Sequence, residues 1–88
     1  MHAPFLAINL RFYRVLLRLS QHQLALRAGP PFSQSVISRL ERGLQPSESS
    51  QIDALARALN LSQAALLREP RRALRADAVR PAVLGEES

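Results

Sequence analysis

Residues 34–42, Gln-Ser-Val-Ile-Ser-Arg-Leu-Glu-Arg, combine side chains that can hydrogen-bond to nucleic-acid bases with a single acidic residue. A Gln amide matches an edge of adenine, an Arg guanidinium can bind guanine O6 and N7 together, and a Ser hydroxyl is permissive. In a helix, positions i, i+3, i+4 and i+7 share one face, which here carries Ser35, Ser38, Arg39 and Arg42. Ile37 and Leu40 then turn inward. The segment therefore predicts a helix with a polar, cationic face that can approach base edges closely.

A repeated pattern of helix start and stop signals positions this segment. Ser20 and Gln23 form a capping box, and Gly29 supplies a left-handed end to a second helix. Ser33 repeats the start signal after a rigid Gly-Pro-Pro break, and Gly43 ends the third helix. We expect the break to orient the third helix so that its first turns meet the major groove of a duplex.

Three further helices are predicted. The first covers residues 9–18. Helical spacing there gives one apolar side, which consists of Leu10, Tyr13, Leu16 and Leu17. The fourth starts with Ser50 and Asp53 as a capping pair and ends near Asn60. Ser62 repeats the start signal for a fifth helix. The fold class predicted is therefore all-α, with five short helices.

Composition agrees with a small helical protein that binds a polyanion. The 88 residues allow one modest core but no second folded unit. Leu and Ala dominate and aromatic residues make up 5% of the chain, which favours helices over a β-sandwich. The net charge is +5 and every one of the 12 basic residues is Arg, which suggests a polyanionic partner.

The same composition argues against other classes. The chain has no Cys, which excludes disulfides and thiolate metal sites and agrees with a reducing cytoplasm. His2 and His22 lack matched carboxylates and the glycines are scattered, so we expect no catalytic residues, no metal and no cofactor. Pro4 and Asn9 interrupt the apolar N-terminal stretch, which indicates neither a signal peptide nor a membrane span.

The chain divides into three predicted parts. Residues 1–8 form an N-terminal arm, residues 9–68 the helical domain and residues 69–88 a tail. Pro70 and Pro81 interrupt the tail, and its basic and acidic residues balance, so the whole charge surplus precedes it. Its few large apolar residues do not form a helix face. We expect an arm that contacts a second copy or a protein partner, with disorder favoured over order.

Two short helices joined by a tight break, with one helix before them and two after, are the arrangement of a helix-turn-helix domain. The stretches "LSQHQLALRAG", "FSQSVISRLERG" and "IDALARALNLSQAALL" resemble the Xre family of DNA-binding domains, the phage-repressor and Cro type. The resemblance runs from about Asn9 to Arg68. It implies a five-helix, lambda-repressor-like domain whose third helix reads the duplex.

The resemblance also implies roles for individual residues. The resemblance and the shared helix face together indicate four base readers, which are Gln34, Ser35, Ser38 and Arg39. The resemblance also places Val36 near a thymine methyl. The resemblance implies that Gln21 contacts the DNA backbone and that Arg42 clamps a phosphate. Helix N-termini favour phosphate, so a DNA-backbone contact is also expected at Ser33. Arg14 would pair with Glu41 and so tie the recognition helix to the body of the domain.

The sequence departs from the Xre pattern at three points. The turn between the second and third helices is two residues longer, because "PPF" at residues 30–32 replaces a single apolar residue. The loop before the fourth helix is one residue longer. Arg18 stands where the family often has Gly, which requires an unfavourable backbone angle if the first helix ends in the same way.

These observations predict a cytoplasmic, bacterial or phage transcriptional regulator, nucleoid-associated when it is bound to DNA. We expect a homodimeric repressor that reads an inverted repeat, with the fifth helix and the tail as candidates for the dimer surface. A restriction–modification controller or a phage regulator also fits. The alternative from another class is an antitoxin-type module that binds a toxin through its tail and autoregulates its operon. An enzyme is a distant third, because it needs a pocket with convergent titratable groups.

Overall fold

The computed structural model describes residues 3–70, and within this range the chain forms five α-helices joined by short turns. In chain order they are α1 (Leu6–Leu16), α2 (Gln21–Ala28), α3 (Gln34–Glu41), α4 (Ser49–Ala58) and α5 (Gln63–Leu67). The all-α, five-helix prediction is confirmed. Residues 71–88, which make up most of the predicted tail, lie outside the described residues.

Three of the helices begin at the serines predicted from local sequence. The hydroxyl oxygens of Ser20, Ser33 and Ser62 each accept a hydrogen bond from the backbone N–H three residues later, at 3.0, 3.2 and 3.3 Å. At α2 the capping box is complete, because the Ser20 N–H donates to Gln23 Oε1 at 2.8 Å. These side-chain oxygens accept hydrogen bonds from backbone N–H groups that have no partner inside the helix.

The start of α4 differs from the prediction. Ser50 does not cap the helix, because α4 already begins at Ser49 and its cap residue is Glu48, whose N–H donates to Gln51 Oε1 at 3.0 Å. Asp53 instead pairs with Arg57 one turn later, at 2.6 Å. The run Ser-Glu-Ser-Ser offers several overlapping start signals, and α4 uses the capping box that Glu48 forms with Gln51.

α1 begins at Leu6 and ends at Leu16, so both ends of the predicted 9–18 helix were misplaced. Its buried side also differs from the prediction: Leu16 and Leu17, expected inside, are 61% and 44% exposed. The side that α3 and α5 cover carries Leu6, Asn9 and Leu10. A Leu-rich helix offers several apolar stripes, and the neighbouring helices decide which one is buried.

Three helices end in the same left-handed turn. The residue after each helix cap has a positive φ: 61° at Arg18, 71° at Gly43 and 60° at Asn60. In each turn the following N–H returns to a carbonyl of the last helical turn, in the bonds Leu19 to Arg14, Leu44 to Arg39 and Leu61 to Ala56, at 3.0, 2.9 and 2.7 Å. This is the Schellman pattern. The unfavourable angle expected at Arg18 is therefore present.

One apolar core joins all five helices. α3 packs against both α1 and α2, α4 packs against α2 and α5, and α5 packs against α1. The fully enclosed large side chains are Leu10, Leu24, Ile37, Ile52, Leu55, Leu59, Leu66 and the polar Asn9. Asn9 Nδ2 donates to the carbonyls of Leu66 and Arg68, both at 2.8 Å, and so connects α1 to the end of α5. Burial of each large aliphatic side chain contributes roughly 1.5–3 kcal/mol, so this core holds α3 in a fixed orientation.

Candidate nucleic-acid interface

The turn between α2 and α3 accommodates the two extra residues without losing its hydrogen bonds. α2 ends at Ala28, Gly29 adopts a φ of 81°, and the Phe32 N–H donates to the Gly29 carbonyl at 3.0 Å. The bond between Pro30 and Pro31 is cis. Phe32 is half-buried and packs against the core, so the turn is fixed to the domain immediately before the Ser33 cap.

α3 has one buried side and one open side. Ile37 and Leu40 are 0% and 2% exposed and face the core, as predicted. The open side is a shallow depression of about 300 Å³ that is lined by Gln34, Ser35, Ser38, Arg39 and Arg42. The predicted common face is therefore present in the structure. Val36 is half-buried and packs against the core, so it is less available to a partner than the lining residues.

The two arginines of the open side are held differently. Arg39 is exposed, and its Nε donates to Gln45 Oε1 at 2.7 Å. Arg42 is also exposed, and its Nε makes a long contact of 3.4 Å with the Ser38 carbonyl within the same helix. Both guanidinium groups keep N–H donors directed to solvent, so the open side carries two cations that can bind an anion or a base edge.

Arg14 and Glu41 form the predicted ion pair on the other side of α3. Arg14 Nε donates to Glu41 Oε2 at 2.5 Å, Nη2 donates to Oε1 at 3.1 Å, and Nη1 donates to the Leu19 carbonyl at 2.7 Å. The side chains of Arg14 and Glu41 are only 13% and 4% exposed. The pair therefore connects α1 to the end of α3, and it removes the one carboxylate of α3 from the open surface.

The side chain of Gln21, a predicted DNA-backbone contact, makes a hydrogen bond within the protein. It is half-buried in the first turn of α2, and its Nε2 donates to Glu41 Oε1 at 3.2 Å. The backbone N–H groups of the first turn of a helix have no acceptor inside the helix. The same holds at Gln34, the first residue of α3, so both helices present free N–H groups at their N-terminal ends.

The described residues contain no cluster of His, Cys, Asp and Glu that could hold a metal ion. None of the described helices, the longest of which is α1 with 11 residues, has the length and apolar character needed to cross a bilayer.

Comparison with known proteins adds the family to this geometry. A family model described as a helix-turn-helix domain matches residues 6–69, which is most of the chain and all five helices. The chain belongs to the helix-turn-helix domain family. No curated protein and no solved structure matches the sequence. Helix-turn-helix domains typically bind DNA through the second helix of the motif, and they are typically not enzymes.

Two contacts of this helix-turn-helix domain escaped prediction from sequence. The sequence predicts Asn9 at the start of the first helix, whereas it lies inside α1 and bonds to the end of α5. The sequence predicts only a loop at Gln45, whereas this residue accepts the Nε–H of Arg39. Both contacts join positions that come close only after the helix ends have been folded, and no local sequence signal marks them.

Proposed function

We propose that this helix-turn-helix domain is of the Xre type and acts as a sequence-specific, double-stranded DNA-binding transcriptional regulator. The observation that carries this proposal is the open side of α3, which groups two cationic side chains with hydroxyls and an amide on a helix fixed by the core. Short polar side chains and guanidinium groups suit base edges in the major groove. We infer that the protein is bacterial or phage-encoded and works in the cytoplasm at the nucleoid.

Residue roles follow from position on α3. The base readers we propose are Gln34, Ser35, Ser38 and Arg39, because they line the open depression and lie on the N-terminal and central turns. Arg42 lies at the C-terminal end, where its loosely held guanidinium suits a phosphate. Ser33 lies at the N-terminal end, where the free N–H groups and the helix dipole favour an anion. Gln21 would contact phosphate through its backbone N–H, since its side-chain amide donates to Glu41.

We propose a homodimer that represses transcription from an inverted repeat. One α3 covers only a few base pairs, and a two-fold pair places the second helix about 34–36 Å away on the same side of the duplex. The fifth helix and residues 69–88 remain the predicted dimer surface. α5 buries Ala65 and Leu66 in the core, so within the described residues it would contribute Ala64 and the half-buried Leu67.

Selection of bound duplexes from a random library, followed by a salt titration on the selected site, tests the proposal. The full chain should enrich an inverted repeat with half-sites about one helical turn apart. Affinity should fall roughly tenfold or more between about 50 mM and about 200 mM salt, because phosphate contacts release counterions. A chain that enriches no sequence, or whose affinity is independent of salt, would contradict the proposal.

The antitoxin-type alternative is favoured by one observation, an apolar patch on α1. Ile8, Val15 and Leu16 lie within one side of α1 and are 54%, 53% and 61% exposed. Exposed apolar side chains grouped in this way are typical of a protein-binding surface. Under the alternative, the chain forms a stable 1:1 complex with a small toxin, and DNA binding regulates the same operon. Sedimentation of the purified chain with and without its selected duplex separates a homodimer on DNA from a monomer that needs another protein.

A further inference from the structure

The hydrogen bond between Arg39 and Gln45 joins an exposed arginine of α3 to the loop that follows the helix. Arg39 Nε donates to Gln45 Oε1 at 2.7 Å, which is a good distance for a charge-assisted bond. Of the two arginines on the open side, only Arg39 has an acceptor of this kind outside α3 within the described residues. The Arg39 side chain therefore keeps less conformational freedom than the Arg42 side chain does.

The loop places Gln45 beside Arg39 through defined backbone contacts. At the end of α3 the Gly43 N–H donates to the Leu40 carbonyl at 3.2 Å, and the Leu44 N–H donates to the Arg39 carbonyl at 2.9 Å. Gly43 adopts a φ of 71°, so the chain reverses and returns along the last turn of the helix. Ser47 is 2% exposed, so the far end of the loop packs against the rest of the domain. Gln45 itself is half-buried. Its side chain is thus presented to Arg39 from a fixed backbone.

This contact selects one edge of the guanidinium group. An arginine can offer either the edge that includes Nε or the edge formed by its two terminal nitrogens. Because Gln45 occupies Nε, the Nη1 and Nη2 edge remains for a partner, and the guanidinium plane is restrained before the partner arrives. Two parallel N–H donors match guanine O6 and N7. Restraint also lowers the rotamer entropy that Arg39 loses on binding.

We propose that Gln45 is a positioning residue that sets specificity: it holds Arg39 so that the Nη edge meets a guanine, and it sharpens the preference for guanine at that position. This inference rests on the proposed DNA-binding function and adds a residue that would touch no base itself. A preorganised reader discriminates better than a mobile one, because a mobile arginine can reach acceptors on other bases or on phosphates.

The experiment compares Gln45→Ala and Gln45→Glu with the wild-type chain. Gln45→Ala removes the acceptor, whereas Gln45→Glu keeps one in the same place. Ser50→Ala is the matched control, since Ser50 is an exposed polar residue beyond the same loop with no side-chain hydrogen bond in the described part of the chain. Each full-length variant is checked for folding by thermal unfolding. Each is then measured against the selected duplex and against duplexes with every base in turn at the position that Arg39→Ala relaxes.

We expect Gln45→Ala to lower the preference for guanine at that one position by about fivefold, the value of one hydrogen bond. Preferences at the other positions should not change. Gln45→Glu should keep the guanine preference, even where its charge lowers affinity for every duplex, and Ser50→Ala should match wild type. In an Arg39→Ala background, Gln45→Ala should have no further effect, because the residue acts through Arg39.

Several results would overturn the proposal. They are an unchanged or higher guanine preference in Gln45→Ala, a lost preference at a different position, and an effect that persists in the Arg39→Ala background. A measurement on the free protein distinguishes failure of the positioning role from failure of the proposed DNA-binding function. In the free protein, the Arg39 Nε–H resonance should shift in Gln45→Ala and stay close to wild type in Ser50→Ala. Absence of that shift would overturn the positioning role whether or not the chain binds DNA.

Discussion

Arginines lie next to both sides of α3, but they are held differently on each side. On one side, Arg14 and Glu41 form a nearly enclosed ion pair beside the core residues Ile37 and Leu40. On the other side, Arg39 and Arg42 are exposed and keep free N–H donors. An arginine that is buried and fully bonded contributes to the fold, and an exposed one on a rigid helix remains available to a partner. This contrast predicts that substitutions on the side of the ion pair lower stability, whereas substitutions on the open side change DNA binding.

Arg14→Ala should have the largest effect on stability. It leaves the Glu41 carboxylate, which is 4% exposed, without its cation, and breaking a buried pair in this way costs about 3 kcal/mol. Urea unfolding of the free protein measures the loss. Replacing both partners, as Arg14→Met with Glu41→Leu, should recover much of it, because no unpaired charge then remains. A loss below about 0.5 kcal/mol for Arg14→Ala would remove the distinction between the two sides.

Ser33→Ala should have an intermediate effect, since Ser33 lies at the N-terminal end of α3, between the two sides. Its hydroxyl accepts the Val36 N–H at 3.2 Å, and loss of such a cap costs about 1 kcal/mol. Ser35→Ala is the matched control, because Ser35 is exposed and its side chain makes no hydrogen bond among the described residues. Thermal unfolding of the two variants should separate them. Equal stabilities would show that the Ser33 cap does not hold the start of α3.

Arg39→Ala and Arg42→Ala should change stability least, by less than about 0.5 kcal/mol each. Their effects should instead appear in DNA binding. Arg39→Ala should relax base preference at one position by about 1–3 kcal/mol, whereas Arg42→Ala should weaken binding to all sequences alike and reduce the salt slope by about one. Arg11→Ala removes the same charge from an exposed position on α1 and should do neither. Identical binding profiles for the two α3 variants would contradict the proposed division of roles.

The parts of this fold that the sequence predicted correctly are those decided by local chemistry. Ser20, Ser33 and Ser62 each satisfy an N–H three residues away, so a short segment contains all that the cap requires. The open face of α3 follows from helical spacing once its start is known. The sequence predicts Ser50 as the cap instead of Glu48 because several adjacent polar residues can cap a helix, and local pattern does not choose the Glu48–Gln51 pair among them.

The errors in α1 have a different origin. Leu6 extends the helix upstream, and Leu16 and Leu17 lie exposed although their spacing with Leu10 suggested an inner face. Periodicity shows that a helix has an apolar stripe, but it does not choose among overlapping stripes. The choice depends on where α3 and α5 pack. The buried side is the one that contains Asn9, which bonds to the end of α5.

The sequence by itself determined where most helices begin and end, which side of α3 is polar, and that the charge surplus lies on the helical domain, because these properties depend on neighbours within a few residues. Only the tertiary structure decided which side of α1 is covered, that Asn9 bonds to the end of α5, and that Gln45 bonds to Arg39. Each of these contacts depends on the direction in which the chain leaves a helix and on which surfaces then meet, and a reversal at a residue such as Gly43 brings together side chains that no local pattern connects.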